Sequence, residues 1–378
     1  MNAVTVTAVD PRRDLDVFLD VPNQLYRSLP HWVQPLWMER RGALAPGTTP
    51  YLRRARMQWW IATEAGRVVG RISAHVDPVA LARDPGIGHL GLLVATDRQG
   101  VVPALTAAAE EWLRGQGMTQ VRGPLDLSLN QESGLLVDGF DTPPMLMMPH
   151  NPPTLGPALE QAGYEKVMDL LAYRADPRRP IPEAVRRLME RPQPPGLKVR
   201  PARLGGAYDS EVRLMVDIFN DAWSGNWGFI PFDAEEVALL GRELRPLIEK
   251  RLVWFAEADG DAVAFLVCLP NLNEAIADLG GRLWPFGWAK LLWRLKGRGL
   301  RTARVPLMGV RKAMSTTLAG SLLPFHLIAA LWPELMARKV EEVELSWVLE
   351  TNKPMRTLAE MLCGPPCKTY RLYEKALA

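Results

Sequence analysis

No Asp or Glu occurs between Leu279 and Pro333, although the chain carries 42 of them elsewhere. Those 55 residues therefore offer nothing that repels an anionic surface or ligand. Cysteine is scarce as well. Cys268, Cys363 and Cys367 are too few for a disulfide framework, which favours a reducing compartment. The Cys363-Gly-Pro-Pro-Cys367 step has no second Cys pair or His partner nearby, so no metal site is expected. No stretch reads as the ~20 apolar residues of a bilayer-spanning helix. The opening segment MNAVTVTAVDPRRD has no apolar core of signal-peptide length and acquires acids early. These absences together predict a cytoplasmic protein.

What fills the acid-free stretch is basic charge mixed with Trp. Arg282, Lys290, Arg294, Lys296, Arg298, Arg301, Arg304, Arg311 and Lys312 lie in it, with Trp284, Trp288, Trp293 and Trp332. Such a mixture suits the surface of an anionic membrane, and equally a polyanion such as coenzyme A. At 3.6 residues per turn, Trp284, Trp288, Leu291, Leu292 and Leu295 share one helix face, with Lys290 and Arg294 away from it. Pro285 suits the first turn and Gly297 a stop. Trp293 points opposite the apolar stripe, a position comfortable at a headgroup interface. Trp284, Trp288, Trp293, Lys290 and Arg294 are therefore the candidate membrane contacts, peripheral to an inner membrane. The competing reading is an amphipathic helix packed on a core. Nucleic-acid binding is not expected, because no recognition motif accompanies the bases.

A length of 378 residues predicts two domains, and 48% hydrophobic residues suffice for two cores. The Pro-rich run 177–195 reads as a linker between halves 1–176 and 196–378. In the first half, Leu15–Arg27 reads as a helix, Gln58–Thr63 and Val68–Val76 as strands about an Ala65-Gly66 turn, and Leu90–Ala95 as a strand. Val102–Arg114 reads as a helix, Gln120–Arg122 as a strand, Thr154–Ala162 as a helix and Lys166–Tyr173 as a strand. The second half repeats the order. Leu197–Pro201 is a strand, Asp209–Ala222 and Ala234–Lys250 are helices, and Leu252–Ala258 with Ala262–Leu269 form a hairpin about Asp259-Gly260. Arg304–Val310 is a strand, Leu318–Lys339 a helix interrupted at Pro324 and Pro333, Val343–Glu350 a strand, Pro354–Leu362 a helix and Lys368–Tyr373 a closing strand. This order implies a duplicated α/β unit.

The order resembles the acyl-CoA-binding fold of the GNAT N-acyltransferases. Gly66-Arg67-Val68-Val69-Gly70-Arg71-Ile72 looks like that family's hairpin. Glu344-Leu345-Ser346-Trp347-Val348-Leu349-Glu350-Thr351-Asn352 looks like its fifth strand and following Asn, and Tyr370-Arg371-Leu372-Tyr373 like its closing strand. Three further phrases narrow the match: Arg122-Gly123-Pro124 leading into Asn130-Gln131-Glu132-Ser133-Gly134, then Asp138-Gly139-Phe140, and the run Phe219 to Phe229. They resemble a GNAT-related bacterial family that includes ceramide synthases. The resemblance implies an α/β (α+β GNAT-like) fold. It is a tandem pair of units, each a mixed, mostly antiparallel central sheet flanked by helices. It also implies an acyl-CoA-dependent N-acyltransferase that amidates a long-chain amino alcohol or amino ketone.

The family cradles the CoA pyrophosphate on backbone N–H groups at a helix N-terminus. In the first half the equivalent segment, Asp97-Arg98-Gln99-Gly100-Val101-Val102-Pro103, has one Gly, a repelling Asp and a Pro without an N–H. That half reads as having lost its cofactor site. In the second half the resemblance assigns Ser315, Thr316, Thr317 and Gly320 to the phosphates, with Arg311 and Lys312 nearby. It assigns backbone groups of Met308, Gly309 and Val310 to pantetheine, and Asn352 to pantetheine or to ordering the turn. N-acylation needs an unprotonated amine beside a thioester carbonyl, a route for the amine proton and a donor for the oxyanion. Glu344 and Glu350 are the carboxylates on the strand concerned, with Glu344 the candidate base and Glu132 the other if the halves share a cleft. The family's Tyr acid has no counterpart between Pro354 and Leu362, which leaves Tyr370 or Tyr373 to replace it. His326, among Phe325, Leu327 and Ile328, reads as a core residue. Trp223, Asn226, Trp227 and Phe229 would wall the acceptor, against the alternative of a packed aromatic corner. Other readings stay open: a different amine, an acyl carrier protein as donor, or a non-catalytic lipid- or partner-binding pair of degenerate units.

Overall fold

The computed structural model describes residues 3–377. Met1, Asn2 and Ala378, which belong to the terminal ranges assigned above, lie outside the described residues. Thirteen strands are present among these residues: β1 (Val4–Val9), β2 (Arg56–Glu64), β3 (Arg67–Val76), β4 (Ile87–Ala95), β5 (Gln120–Gly123), β6 (Leu135–Asp138), β7 (Glu165–Ala175), β8 (Leu197–Pro201), β9 (Val253–Ala258), β10 (Asp261–Pro270), β11 (Thr302–Val310), β12 (Glu342–Leu349) and β13 (Lys368–Ala376). The chain divides into two compact units. One holds residues up to Leu170 with Ile276–Lys290 and everything from Lys368; the other holds Leu171–Ala275 and Leu291–Cys367.

In the first unit the strand order is β1-β2-β3-β4-β5-β13, with β6 on β13. Every one of these pairings is antiparallel except β4 with β5. In the second unit the order is β8-β9-β10-β11-β12, with β11 and β12 parallel and the others antiparallel. Each is a mixed, mostly antiparallel sheet with helices on it, as the resemblance implies. The duplication extends to the turns. Ala65 and Gly66 between β2 and β3, and Asp259 and Gly260 between β9 and β10, all take positive φ, the geometry that a two-residue hairpin turn demands.

Helix Val101–Gly115 covers the first sheet through Val102, Leu105, Ala109 and Leu113. Helix Leu318–Ala337 does the same in the second, burying Leu323, Leu327, Ile328, Leu331 and Leu335 against Ala264, Leu266, Val343 and Leu345. It is long and apolar enough to cross a membrane, which the sequence reading did not anticipate, but its role here is that of a core helix. It also runs unbroken through Pro324 and Pro333. Each Pro costs a helix about 3 kcal/mol, and each buried Leu or Ile returns roughly 1.5–3 kcal/mol, so packing outweighs the interruptions.

Other expectations are corrected. The run 177–195 is not a bare linker: it holds helix Glu183–Met189, whose Val185 is fully buried in the second core. The last strand does not close its own half. β13 pairs with β5 and β6 of the first unit, and the Lys368 ammonium is buried there, donating to the carbonyls of Gly139 (2.7 Å) and Thr142 (2.8 Å). Helix Ala234–Leu244, started by an Asp233–Glu236 capping box, stops six residues short of Lys250. Strand β1 was not foreseen although Val4-Thr5-Val6-Thr7 alternates, and neither was β6, which is four residues long and does not alternate.

Candidate active site

The second unit contains a cleft between two strands that begin as partners and then part. β11 and β12 pair from Thr302–Glu342 to Val305–Leu345, and the ladder ends there. The residues explain why. Pro306 follows immediately and has no N–H to give to β12. Between Leu269–Arg304 and Val267–Leu307, β11 also carries one residue more than β10, a bulge that bends it away. The opening is narrow, with a cavity volume of about 60 Å³. Val305, Pro306 and Met308 line it from β11, and Leu345 to Leu349 from β12. Trp223, Asn226, Asn352 and Met355 close it from the helical side.

Most of its lining residues are apolar, with the Trp223 and Trp347 rings 6.2 Å apart. Ser346 is the only one of the lining residues with a hydroxyl. Its Oγ donates to Glu344 Oε1 at 2.5 Å and accepts from Arg304 Nε at 2.9 Å, while Arg304 Nη2 donates to the Ser346 carbonyl at 3.0 Å. Glu344, Ser346 and Arg304 are all buried, and Glu344 is wholly out of solvent. Alternation along β12 puts residues 344 and 346 on one face, and the parallel register sets Arg304 beside Glu344.

The expected cofactor residues are distributed unevenly. Met308 lines the cleft. Gly309 and Val310 do not, although both continue β11 in its ladder with β10. A side chain at Gly309 would press on the Phe265 ring. Asn352 lines the cleft and caps helix Lys353–Cys363, its side chain accepting from the Met355 N–H at 3.2 Å. Beyond β11, Lys312–Ser315 is a short helical turn, and Thr317 caps Leu318–Ala337 by accepting the Gly320 N–H at 2.9 Å. Gly320 is small for a packing reason too, since a Cβ there would run into the Met314 carbonyl. Ser315, Thr316 and Thr317 are exposed. Arg311 donates to Asp217 at 2.5 Å and Lys312 to the Ser224 hydroxyl at 2.5 Å, so both cations already have partners.

Of the four acceptor residues, Trp223 and Asn226 reach the cleft. Trp227 does not line it, and Phe229 is buried against Phe219 with ring centroids 5.8 Å apart, the packed corner rather than a substrate wall. Asn220, to which the sequence reading gave no role, holds that loop: its amide donates to the Phe232 carbonyl and accepts the Phe232 N–H. Asp221 accepts the Lys312 N–H at 2.9 Å. Glu350 follows the end of β12, in the turn before the next helix. His326 is buried in the core, and burial lowers its pKa.

Glu132 and Tyr370 belong to the first unit. Glu132 is paired with Arg40, and Tyr370 is fully buried in β13. That unit has a parting of its own. β4 carries an extra residue opposite β3, Leu92 takes φ 48°, and the β4–β5 ladder ends at His89–Arg122. There the chain fills the gap itself. Leu125 N–H donates to the Leu90 carbonyl at 2.8 Å, and Asp126 Oδ1 accepts the Leu92 N–H at 2.9 Å. Burial first, then the Glu132 carboxylate, pushes Asp126 up to about 6 against the pull of Arg40 and Arg71.

The chain is 47% identical over 376 residues to the bacterial ceramide synthase of Caulobacter vibrioides, an alignment that covers 99% of this chain and 98% of that one. The chain belongs to the bacterial ceramide synthase family. It is also 43% identical over 374 residues to protein YghO of Escherichia coli, covering 97% and 94% of the two chains. No protein-family model matches it. Among solved structures, a tandem GNAT protein from the clavulanic acid biosynthesis pathway superposes with a TM-score of 0.58 over 100% of this chain and 99% of its own, at 14% identity. A GCN5-related N-acetyltransferase from Sphaerobacter thermophilus gives 0.52 over 99% and 96%, also at 14% identity. These two likenesses establish the tandem GNAT fold, and the family places the chain among the acyltransferases.

Proposed function

We propose that the second unit joins an acyl group from acyl-CoA to the amine of a long-chain amino alcohol or amino ketone, giving a ceramide-like amide. The observation that carries this reading is the cleft between β11 and β12: an open strand edge, mostly apolar lining residues and one buried hydroxyl network in the same place. Backbone groups of β11 past Val305 would carry the pantetheine arm and polarise the thioester carbonyl. The N-terminus of Leu318–Ala337, with exposed Ser315 and Thr316, would face the pyrophosphate. Trp223 and Trp347 suit the aliphatic part of the acceptor. In the first unit the corresponding opening is taken by Leu125 and Asp126, which supports a unit without a cofactor of its own.

The same reading makes the protein peripheral to an anionic membrane on the cytoplasmic side. Trp284, Phe286, Trp288, Leu292 and Trp293 are all at least half exposed, which favours an interfacial role over the packed amphipathic helix. Further along the chain Lys296 and Arg298 are exposed, whereas Lys290 pairs with Asp278 and Arg294 donates to the Ala275 carbonyl.

Incubating the purified chain with a panel of acyl-CoAs and long-chain amino alcohols or amino ketones, with mass spectrometry of the products, tests the reading. A sphingoid amide is the expected result. Product only with acyl carrier protein thioesters would move the donor to the carrier, which exposed Lys296 and Arg298 would also dock. No amide with any donor would leave a lipid-binding role.

A further inference from the structure

Glu344 is the carboxylate that the sequence offers as a base, yet it is absent from the lining of the cleft and fully buried behind it. Resting on the reading above, we propose that Ser346 is the group that takes the acceptor's proton, handing its own to Glu344, and that Arg304 is the positioning residue for this relay.

The hydrogen-bond chemistry fixes the direction. A guanidinium only donates, so Arg304 occupies one lone pair of Ser346 Oγ from 2.9 Å. Glu344 Oε1 sits 2.5 Å from the same oxygen, the separation of a hydroxyl donating to a carboxylate, so the serine proton points at Glu344. The second lone pair of Oγ is left to accept an N–H, and Ser346 lines the cleft where the amine would lie. A second Arg304 contact, to the Ser346 carbonyl at 3.0 Å, holds the residue at its backbone as well as its side chain.

The step balances within the two substrates. The free amine attacks the thioester carbon, forming the N–C bond and placing the carbonyl electron pair on oxygen. One N–H proton passes to Ser346 Oγ as the serine proton passes to Glu344. The oxyanion collapses, the C–S bond breaks, and coenzyme A departs as thiolate. The proton held on Glu344 returns through Ser346 to the sulfur. Amine and thioester become amide and thiol, and the protein ends unchanged.

The test compares Ser346→Ala, Ser346→Thr, Glu344→Gln and wild type by steady-state kinetics across pH, with acyl-CoA binding followed by Trp fluorescence. Loss of a positioned proton acceptor costs roughly 10²–10⁴-fold in kcat. Ser346→Ala and Glu344→Gln are expected to fall by that range with KM for acyl-CoA unchanged. In both, the pH profile of kcat should keep only the limb set by deprotonation of the acceptor amine, and Ser346→Thr should restore most of the rate. Glu344→Gln is nearly isosteric, so a misfolded Ser346→Ala would still leave the relay testable. Amide formation within threefold of wild type, with an unshifted pH profile, in Glu344→Gln and in a folded Ser346→Ala would overturn the relay while leaving the reaction intact. A wild-type chain that makes no amide from any donor would instead overturn the reading on which the relay rests.

Discussion

Glu344, Glu132 and Tyr370 come from one argument about acid–base groups and end in three different settings. Glu344 is dry and bonded to Ser346, Glu132 answers the Arg40 charge, and Tyr370 is buried in β13. Residue type and strand position made all three visible; their partners come from elements far away in the chain. Ser346 and Arg304 were missed for the same reason, since a Ser two places after a Glu is an unremarkable sequence until the parallel register brings an Arg alongside. The histidines show the same dependence on surroundings. Burial first, and then the neighbouring His89, holds His75 down to about 3; burial first, and then Arg122, holds His89 down to about 4. Both rings stay neutral in the fold while the unfolded chain takes up protons near pH 6.5, so stability is lost as pH falls below that value. At pH 5 the loss is about 2 kcal/mol per ring. Asp126, raised to about 6, acts in the opposite sense and returns about 1 kcal/mol over the same interval. Urea midpoints measured from pH 8 to pH 5 should therefore fall, and His89→Gln should make that fall shallower.

Elements were read more successfully than their ends. Hairpins at Ala65-Gly66 and Asp259-Gly260 were legible because such turns need particular residues at positive φ. The long helix was legible through its apolar content, but its continuity through Pro324 and Pro333 was not, because tertiary burial outweighs a local penalty. The parting of β11 and β12 lies between these cases. Pro306 is in plain view, while the bulge that accompanies it exists only once β10 is paired. Thr317 is an element-scale residue in the same sense. The phosphate reading assigned it to a ligand, and the structure has it capping a 20-residue helix whose core face organises the second unit. Thr317→Ala should lower stability by roughly 0.5–2 kcal/mol, read as a lower thermal midpoint without ligand. An unchanged midpoint would mean that the cap is not used in solution.

On the scale of the whole molecule, a net charge of +3 says little, and its concentration in one acid-free stretch says more. Binding to anionic vesicles is expected in low salt, to weaken at roughly 0.5 M salt as screening shortens the reach of Lys296 and Arg298, and to drop further in Trp288→Glu. Sedimentation unaffected by either change would sink the membrane assignment. From the sequence alone came the duplicated order of elements, the tandem GNAT-like architecture, the basic aromatic stretch and the second half as the place to look for chemistry. The duplicated order and the basic aromatic stretch rest on periodicity, turn residues and composition, which are local; the GNAT-like architecture and the choice of the second half rest on the resemblance to that family. Only the tertiary structure decided that β13 completes the first unit's sheet, that Val185 buries the supposed linker, that Phe229 belongs to a core and that Ser346 stands between Glu344 and the cleft. Each of these is a contact between residues distant in the chain, and which strand edge or side chain meets which is set by packing in three dimensions.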